Sequence, residues 1–307
     1  MIIAASTEVA AIKTRLLLCA LATVTACGRD TTGPGVPTGL TPVPPLAGLR
    51  YLNLVNDTSA VDFRIINLLA YAPNASAASF RTGGSPYGVP ADSLPFSLPV
   101  EAGVSAHIRV SPNSTDPVVA AQILFDTSLV FTAGANYTFF LYGQARAAHL
   151  RALVTVDTLP APAGAAYRVV NLGGAGVGGT DVYIVAQAAV APLTGVPTFA
   201  LVADGAVTGY VNVAVNPAYQ AVALAPATQS PFRFFANVPV GSVGTPTVNP
   251  IAGSNVAGTG ISAVIVPRPV LNSRAQTGCG TPAGCLASDT LPRFLFLIDT
   301  KPPPTAP

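Results

Sequence analysis

Tryptophan is absent from this chain, lysine is confined to Lys13 and Lys301, and histidine to His107 and His149. Charged residues make up only 9%, against 50% hydrophobic. Each scarcity closes off a class of function. With so few cations there is no basic stripe for phosphates, and nucleic acid is excluded as a partner. Neither histidine has a Cys or His neighbour at metal-binding spacing, so no metal centre is expected. No G-x-S-x-G elbow is present for either histidine to serve in a nucleophile–base arrangement. No D-x-D spacing gathers oxygens for calcium. The lack of tryptophan weighs against sugar binding by ring stacking, for which Tyr51, Tyr87, Phe140 and Tyr142 are the candidates that remain. Sustained 3.6-residue periodicity with capping is also missing, which leaves no helical framework. Beyond the N-terminal region no apolar run approaches the roughly 20 residues of a membrane span, because Pro and Gly interrupt each one.

What the chain does have is 30 prolines and 28 glycines punctuating short Ala- and Val-rich alternating segments. That is the composition of many short strands joined by turns. At the N-terminus, Lys13 and Arg15 precede the apolar run Leu16–Ala22, and small residues then lead to Cys27 and Gly28. A basic flank, a short apolar core and a small-residue cleavage site make a secretory signal. Its end, Val24-Thr25-Ala26-Cys27, resembles the lipobox of bacterial lipoproteins. The resemblance implies cleavage before Cys27, acylation of its sulfur and a durable attachment to membrane lipid. Residues 1–26 are then the signal peptide, and their removal leaves 281 of 307 residues. The 13 basic and 12 acidic residues that remain give a net charge of +1. Residues 27–48 read as a linker: Pro34, Pro37, Pro42, Pro44 and Pro45 among Gly and Thr favour extended chain.

The rest is an internal repeat. Arg50-Tyr51-Leu52-Asn53-Leu54 matches Arg168-Val169-Val170-Asn171-Leu172, and an Asp-centred strand follows each, around Asp62 and Asp181. Ala133–Phe139 matches Ala257–Ala263, and the copies close with Arg151–Thr158 and Arg293–Thr300. The offset grows from 118 at Asn53/Asn171 to 142 at Arg151/Arg293, so the second copy carries inserted loops. Residues 49–159 are repeat 1, 160–301 repeat 2 and 302–307 a Pro-rich tail. In repeat 1, strands are expected near 49–55, 61–69, 79–81, 93–98, 104–110, 122–131, 136–143 and 150–157. Val61, Phe63 and Ile65 face a core with Asp62 and Arg64 outside; Val104, Ala106, Ile108 and Val110 face it with Ser105, His107 and Arg109 outside. Many short strands with regular turns predict an all-β protein of two tandem antiparallel β-sandwiches. Gly134 followed by Tyr137 at a strand start resembles the tyrosine corner of immunoglobulin-like sandwiches, although Ile261 takes that place in repeat 2.

The R-x-x-N-L opening, the Asp strand after it, the turn Leu98–Gly103 and the A-G-x-x-Y-T strand together resemble the bacterial domain of unknown function 4397 family. The resemblance covers Leu49–Asp157 closely and Tyr167–Thr300 more loosely. It implies an immunoglobulin-like β fold in secreted and lipid-anchored proteins, and it carries over no catalytic residue.

Other patterns lead to structural readings. Gly174–Gly179 satisfies G-x-G-x-x-G by spacing, but a strand rather than a helix follows it, so it reads as a hairpin turn and not a dinucleotide loop. Asp62, Asp181, Asp157 and Asp299, repeated between the copies, read as carboxylates that satisfy turn amides at strand ends. Cys279 and Cys285 are close in sequence, and outside the cytoplasm such thiols oxidise to a disulfide. With Cys19 removed and Cys27 acylated the cysteines balance, and closing so short a loop contributes about 2 kcal/mol. The reading is therefore a cell-envelope protein lipid-anchored at Cys27, periplasmic or surface-exposed. It is of non-enzymatic binding, adhesion or structural type, with no catalytic residue, metal or cofactor. Its expected partners are membrane lipid and an envelope or surface protein or polysaccharide. The alternatives are a carbohydrate-binding or hydrolytic accessory module and, more remotely, an outer-membrane barrel.

Overall fold

The R-x-x-N-L segments place apolar or uncharged side chains at almost every position, a pattern that suits a strand buried on both faces. Both are such strands. A computed structural model describes residues 44–66, 84–88, 98–157, 163–173, 179–186, 195–214, 219–224, 231–232, 256–267 and 293–300. In repeat 1, β1 (Leu46–Val55), β3 (Leu98–Glu101), β6 (Asn136–Gln144) and β7 (His149–Val156) form one sheet in the order β3-β1-β6-β7. The strands β2 (Val61–Ile65), β4 (Ser105–Pro112) and β5 (Phe125–Val130) form the other, in the order β2-β4-β5. Repeat 2 has β8 (Ala165–Asn171), β9 (Thr180–Ala186), β10 (Phe199–Val202), β11 (Val211–Val213), β12 (Tyr219–Leu224), β13 (Pro231–Phe232), β14 (Gly260–Val266) and β15 (Arg293–Thr300). Its sheets run β11-β8-β14-β15 and β10-β9-β12-β13. The fold is thus an all-β sandwich architecture in which each repeat contributes two sheets. One turn of helix, α1 (Pro117–Ala120), sits between β4 and β5, its first turn capped by the Asp116 carboxylate accepting from the Val118 amide.

Most pairs are antiparallel, but β1 runs parallel to β6 and β8 parallel to β14 at the centre of the β1 and β8 sheets. Alternation explains why these central strands lack a polar face. Leu49, Tyr51 and Val55 point into the repeat 1 core with Phe63, Ile108, Val110, Phe139 and Leu141. On the opposite face, Leu52, Leu54 and Phe140 meet Val170, Leu172, Val264, Val266 and Leu297 of repeat 2. Tyr167, Val169, Ile261, Ala263 and Ile265 fill the repeat 2 core. There are consequently three apolar layers between four sheets, and the middle one joins the repeats within a single compact unit, Pro45–Pro307.

Several expectations need adjustment. Strand β1 starts at Leu46, inside the expected linker, because Leu46–Leu49 pairs with β3. The third core strand begins at Leu98, where 93–98 was expected. Val104 is 42% exposed rather than buried, since it lies in the turn before β4, and alternation takes hold only from Ser105. Of the Gly174–Gly179 turn, residues 174–178 lie outside the described residues; the strands on either side, β8 and β9, belong to different sheets and do not pair as a hairpin. Residues 1–43, the strand expected at 79–81, Cys27, Cys279, Cys285 and the tail 302–307 lie outside the described residues. Among the described residues no helix is long and apolar enough to cross a membrane.

Candidate functional site

Two clusters of charge stand out in a chain that has so little. The first lies in the joint between the repeats. Alternation carries Arg50 onto the same face as Leu52 and Leu54, and Arg168 onto that of Val170 and Leu172, so both guanidiniums enter an apolar interface. Arg50, Arg168, Asp157 and Asp299 are each at most 5% exposed. Arg50 donates from Nη2 to Asp299 Oδ1 at 2.7 Å and from Nη1 to the Ile298 carbonyl at 3.0 Å. Arg168 reciprocates, with Nη2 on Asp157 Oδ1 and Nη1 on the Val156 carbonyl at 3.0 Å. Each arginine therefore grips the closing carboxylate of the other repeat and the carbonyl just before it. The Nε groups donate to hydroxyls of the adjacent parallel strands, Arg50 to Thr138 at 2.9 Å and Arg168 to Ser262 at 2.6 Å. Those hydroxyls donate onward, Thr138 to Asp157 and Ser262 to Asp299. The result is a pseudo-two-fold exchange, in which a surface on one repeat is complementary to the like surface on the other.

The copies differ in the last donor. Thr155 donates to Asp157 at 2.7 Å, whereas the Tyr210 hydroxyl donates to Asp299 at 2.7 Å and its ring lies 4.8 Å from the Arg168 guanidinium carbon. Burial, and then the Asp299 charge, push the Tyr210 phenol well up, so it stays protonated and donates. Burial would pull the Arg168 pKa down, but Asp299 and Asp157 outweigh it and the guanidinium remains charged. Burial and the neighbouring Asp299 raise Asp157 above the usual carboxylate value, while the two arginines and Thr138 act the other way.

The second cluster lies on the outer face of the β2-β4-β5 sheet. Arg64 is registered directly opposite Arg109, and Arg109 directly opposite Asp126. Arg109 donates from Nε and Nη2 to Asp126 Oδ2 at 2.9 and 2.8 Å, and His107 Nε2 meets Asp126 Oδ1. The hydrogen bonds from His107 and then Arg109 hold the Asp126 carboxyl below the usual range. Asp62 accepts from Arg64 Nη2 at 3.0 Å and from Asn113 Nδ2 at 2.8 Å.

The repeated aspartates thus do other work than expected. Asp157 and Asp299 bind guanidiniums across the joint, because the end of each closing strand abuts the other repeat and not a turn. Asp62 accepts from the side chains of Arg64 and Asn113, and Asp181 accepts a backbone amide, that of Leu201 at 2.8 Å. The carboxylate that clamps a turn is Asp57, which accepts the Ala145 and Arg146 amides, both at 2.9 Å. Three of the four aromatics considered for sugar stacking are buried: Tyr51 and Phe140 at 0% and Tyr87 at 1% exposure, with Tyr142 half-buried against the joint. Tyr51 and Phe140 are interior because their strands are covered on both faces, and Tyr87, in a turn, packs into the apolar layer between the repeats. His107 lies on the exposed face as expected, and His149 opens β7. The Tyr137 hydroxyl accepts from the Thr132 amide at 3.0 Å, which makes the expected tyrosine corner real in repeat 1. Among the described residues no group of His, Cys, Asp and Glu could hold a metal.

The repeat pairs Arg50 with Arg168 and Asp157 with Asp299 along the chain, but nothing in it joins the arginines to the aspartates. The available signal was charge on strands otherwise apolar on both faces. Asn53 and Asn171 also act as a pair. Each Oδ1 accepts the amide two residues on, at 3.0 and 3.2 Å, and each Nδ2 donates to a distant carbonyl, that of Ser85 at 2.8 Å and of Val202 at 2.9 Å.

No protein-family model and no curated protein matches this chain. Among solved structures, the chain is similar to CBMbc, a family CBM26 module of Eubacterium rectale Amy13K crystallised with maltoheptaose. That likeness has a TM-score of 0.20 and 9% identity, and covers 72% of this chain and 93% of the other. A TM-score that low does not bear on function.

Proposed function

We propose that this protein is a non-enzymatic display module of the bacterial cell envelope, attached to membrane lipid through acylated Cys27 and held off it by the Pro-rich stretch that ends where β1 begins. The observation that carries this reading is the joint. Its four charged side chains are engaged with one another and with strand carbonyls, and they fasten two sandwiches into one body. A body fixed in this way presents its outer sheets in a constant geometry, which lowers the ordering cost of binding. The partner classes open to it are an envelope or surface protein and a polysaccharide. A polysaccharide would meet charged side chains, since three of the four aromatics considered for stacking are interior and the fourth, Tyr142, is half-buried.

Metabolic labelling with a lipid probe tests the attachment. The native chain should take up label and fractionate with membranes, and Cys27→Ser should do neither. Label retained by Cys27→Ser would overturn the anchoring.

A further inference from the structure

We infer that the outer face of the β2-β4-β5 sheet binds oxyanion groups carried on a polysaccharide, with Arg64 and Arg109 meeting the anion. Like charges placed directly opposite on a sheet repel each other, yet here two of the chain's few cations occupy one registered pair. The sandwich itself does not demand them. Aligning Asp62 with Asp181 puts Tyr183 where repeat 1 has Arg64, and its registered partner on β12 is Val222. The arginines are only partly matched from within. Asp126 takes Nε and Nη2 of Arg109, and Asp62 takes Nη2 of Arg64. Among the described residues neither arginine gives a hydrogen bond from Nη1, and the enclosed Arg64 Nε has no acceptor. Their side chains are 35% and 39% exposed, so both remain accessible. An oxyanion set between them would accept two charge-assisted hydrogen bonds and relieve the repulsion.

The surroundings favour a sugar polymer over a protein. Ser111 and Ser128 lie on the same face by alternation, beside Asn113, and offer partners for ring hydroxyls. Protein interfaces usually centre on a well-packed, fully desolvated pocket, whereas Arg64 and Arg109 are 35% and 39% exposed. Among the described residues the large apolar side chain at this face is Val130, a single aliphatic group at 66% exposure. Carboxylate and sulfate share this chemistry. The proposal rests on the envelope reading only for where such a polymer is met; the binding itself is independent of the lipid.

Affinity electrophoresis of the full chain through gels containing polygalacturonate, dextran sulfate or neutral dextran tests it. Retardation is expected with one or both charged polymers and not with dextran, and it should vanish near 1 M salt, where screening reaches about 3 Å. Stronger retardation by polygalacturonate would identify carboxylate as the recognised group, and by dextran sulfate, sulfate. Arg64→Gln and Arg109→Gln should each weaken binding roughly tenfold, with circular dichroism unchanged. Arg151→Gln, on the exposed part of β7, should leave binding intact. No retardation by either charged polymer, equal retardation by dextran, or equal loss from all three variants would overturn the inference. Failure of lipid labelling would instead overturn the anchoring and leave this result standing.

Discussion

The face that the repeats share and the faces they turn outward differ in opposite ways. On the shared face the two copies carry the same chemistry at the same strand positions: Arg50 and Arg168, Thr138 and Ser262, Asp157 and Asp299. At the strand positions of repeat 2 that align with Arg64 and its registered partner Arg109, Tyr183 is registered with Val222. A pseudo-two-fold joint makes each arginine and aspartate of one copy answer to its counterpart on the other, so a lone change strands a partner. An outer face has no such counterpart and is free to take up a ligand in one copy only.

The sharpest way to break this comparison is to remove one member of the joint. Asp299→Ala leaves Arg50 buried beside an incomplete partner set and should cost about 3–5 kcal/mol by denaturant unfolding. Asp157→Ala should cost about the same, because the arrangement is reciprocal. Replacing Arg50, Asp157, Arg168 and Asp299 together with leucine or methionine should be close to neutral, since the desolvation of four charges disappears with their attraction. A joint that tolerates Asp299→Ala at below about 1 kcal/mol would not be what ties the repeats.

Smaller effects sharpen the comparison within each repeat. Asn53→Ala and Asn171→Ala should each lose roughly 1–3 kcal/mol, because a buried amide and a carbonyl lose their partners. Near-equal losses would show that the clamp is worth the same although the loops it holds differ. Tyr137→Phe should cost about 1 kcal/mol, in repeat 1 alone, as Ile261 has no hydroxyl to lose.

The smallest effect belongs to the outer face. The Asp126 carboxyl is held below its usual value by His107 and Arg109, so its share of stability is fully present above the unfolded carboxylate pKa. It is lost as pH falls through the lowered folded value. Melting of the native chain and Asp126→Asn should therefore differ slightly at neutral pH and converge in acid. A gap that widens in acid would contradict the pairing.

How much of this was legible depended on the range of each interaction. Val61, Phe63 and Ile65 inside and Arg64 outside followed from period two, and the tyrosine corner at Tyr137 from five residues of local sequence. The aromatic candidates were misjudged, because alternation gives the parity of a side chain but not whether the second face of its strand is covered. Phe140 reads as exposed when β6 is taken to have one solvent face, and is interior once repeat 2 packs there. The aspartates were misjudged for the same reason: a carboxylate ending a strand looks like a turn clamp until another repeat supplies an arginine.

By itself the sequence determined the all-β class, the duplication and the positions of the paired motifs, because periodicity and repetition are properties of the chain read along its length. Only the tertiary structure decided that the repeats lie face to face and that each arginine crosses to the other copy's aspartate. It also placed Arg64 beside Arg109. Those contacts join residues 249 positions apart for Arg50 and Asp299, 11 apart across the seam of the repeats for Arg168 and Asp157, and 45 apart on the outer sheet, and no local propensity reports which two faces will meet.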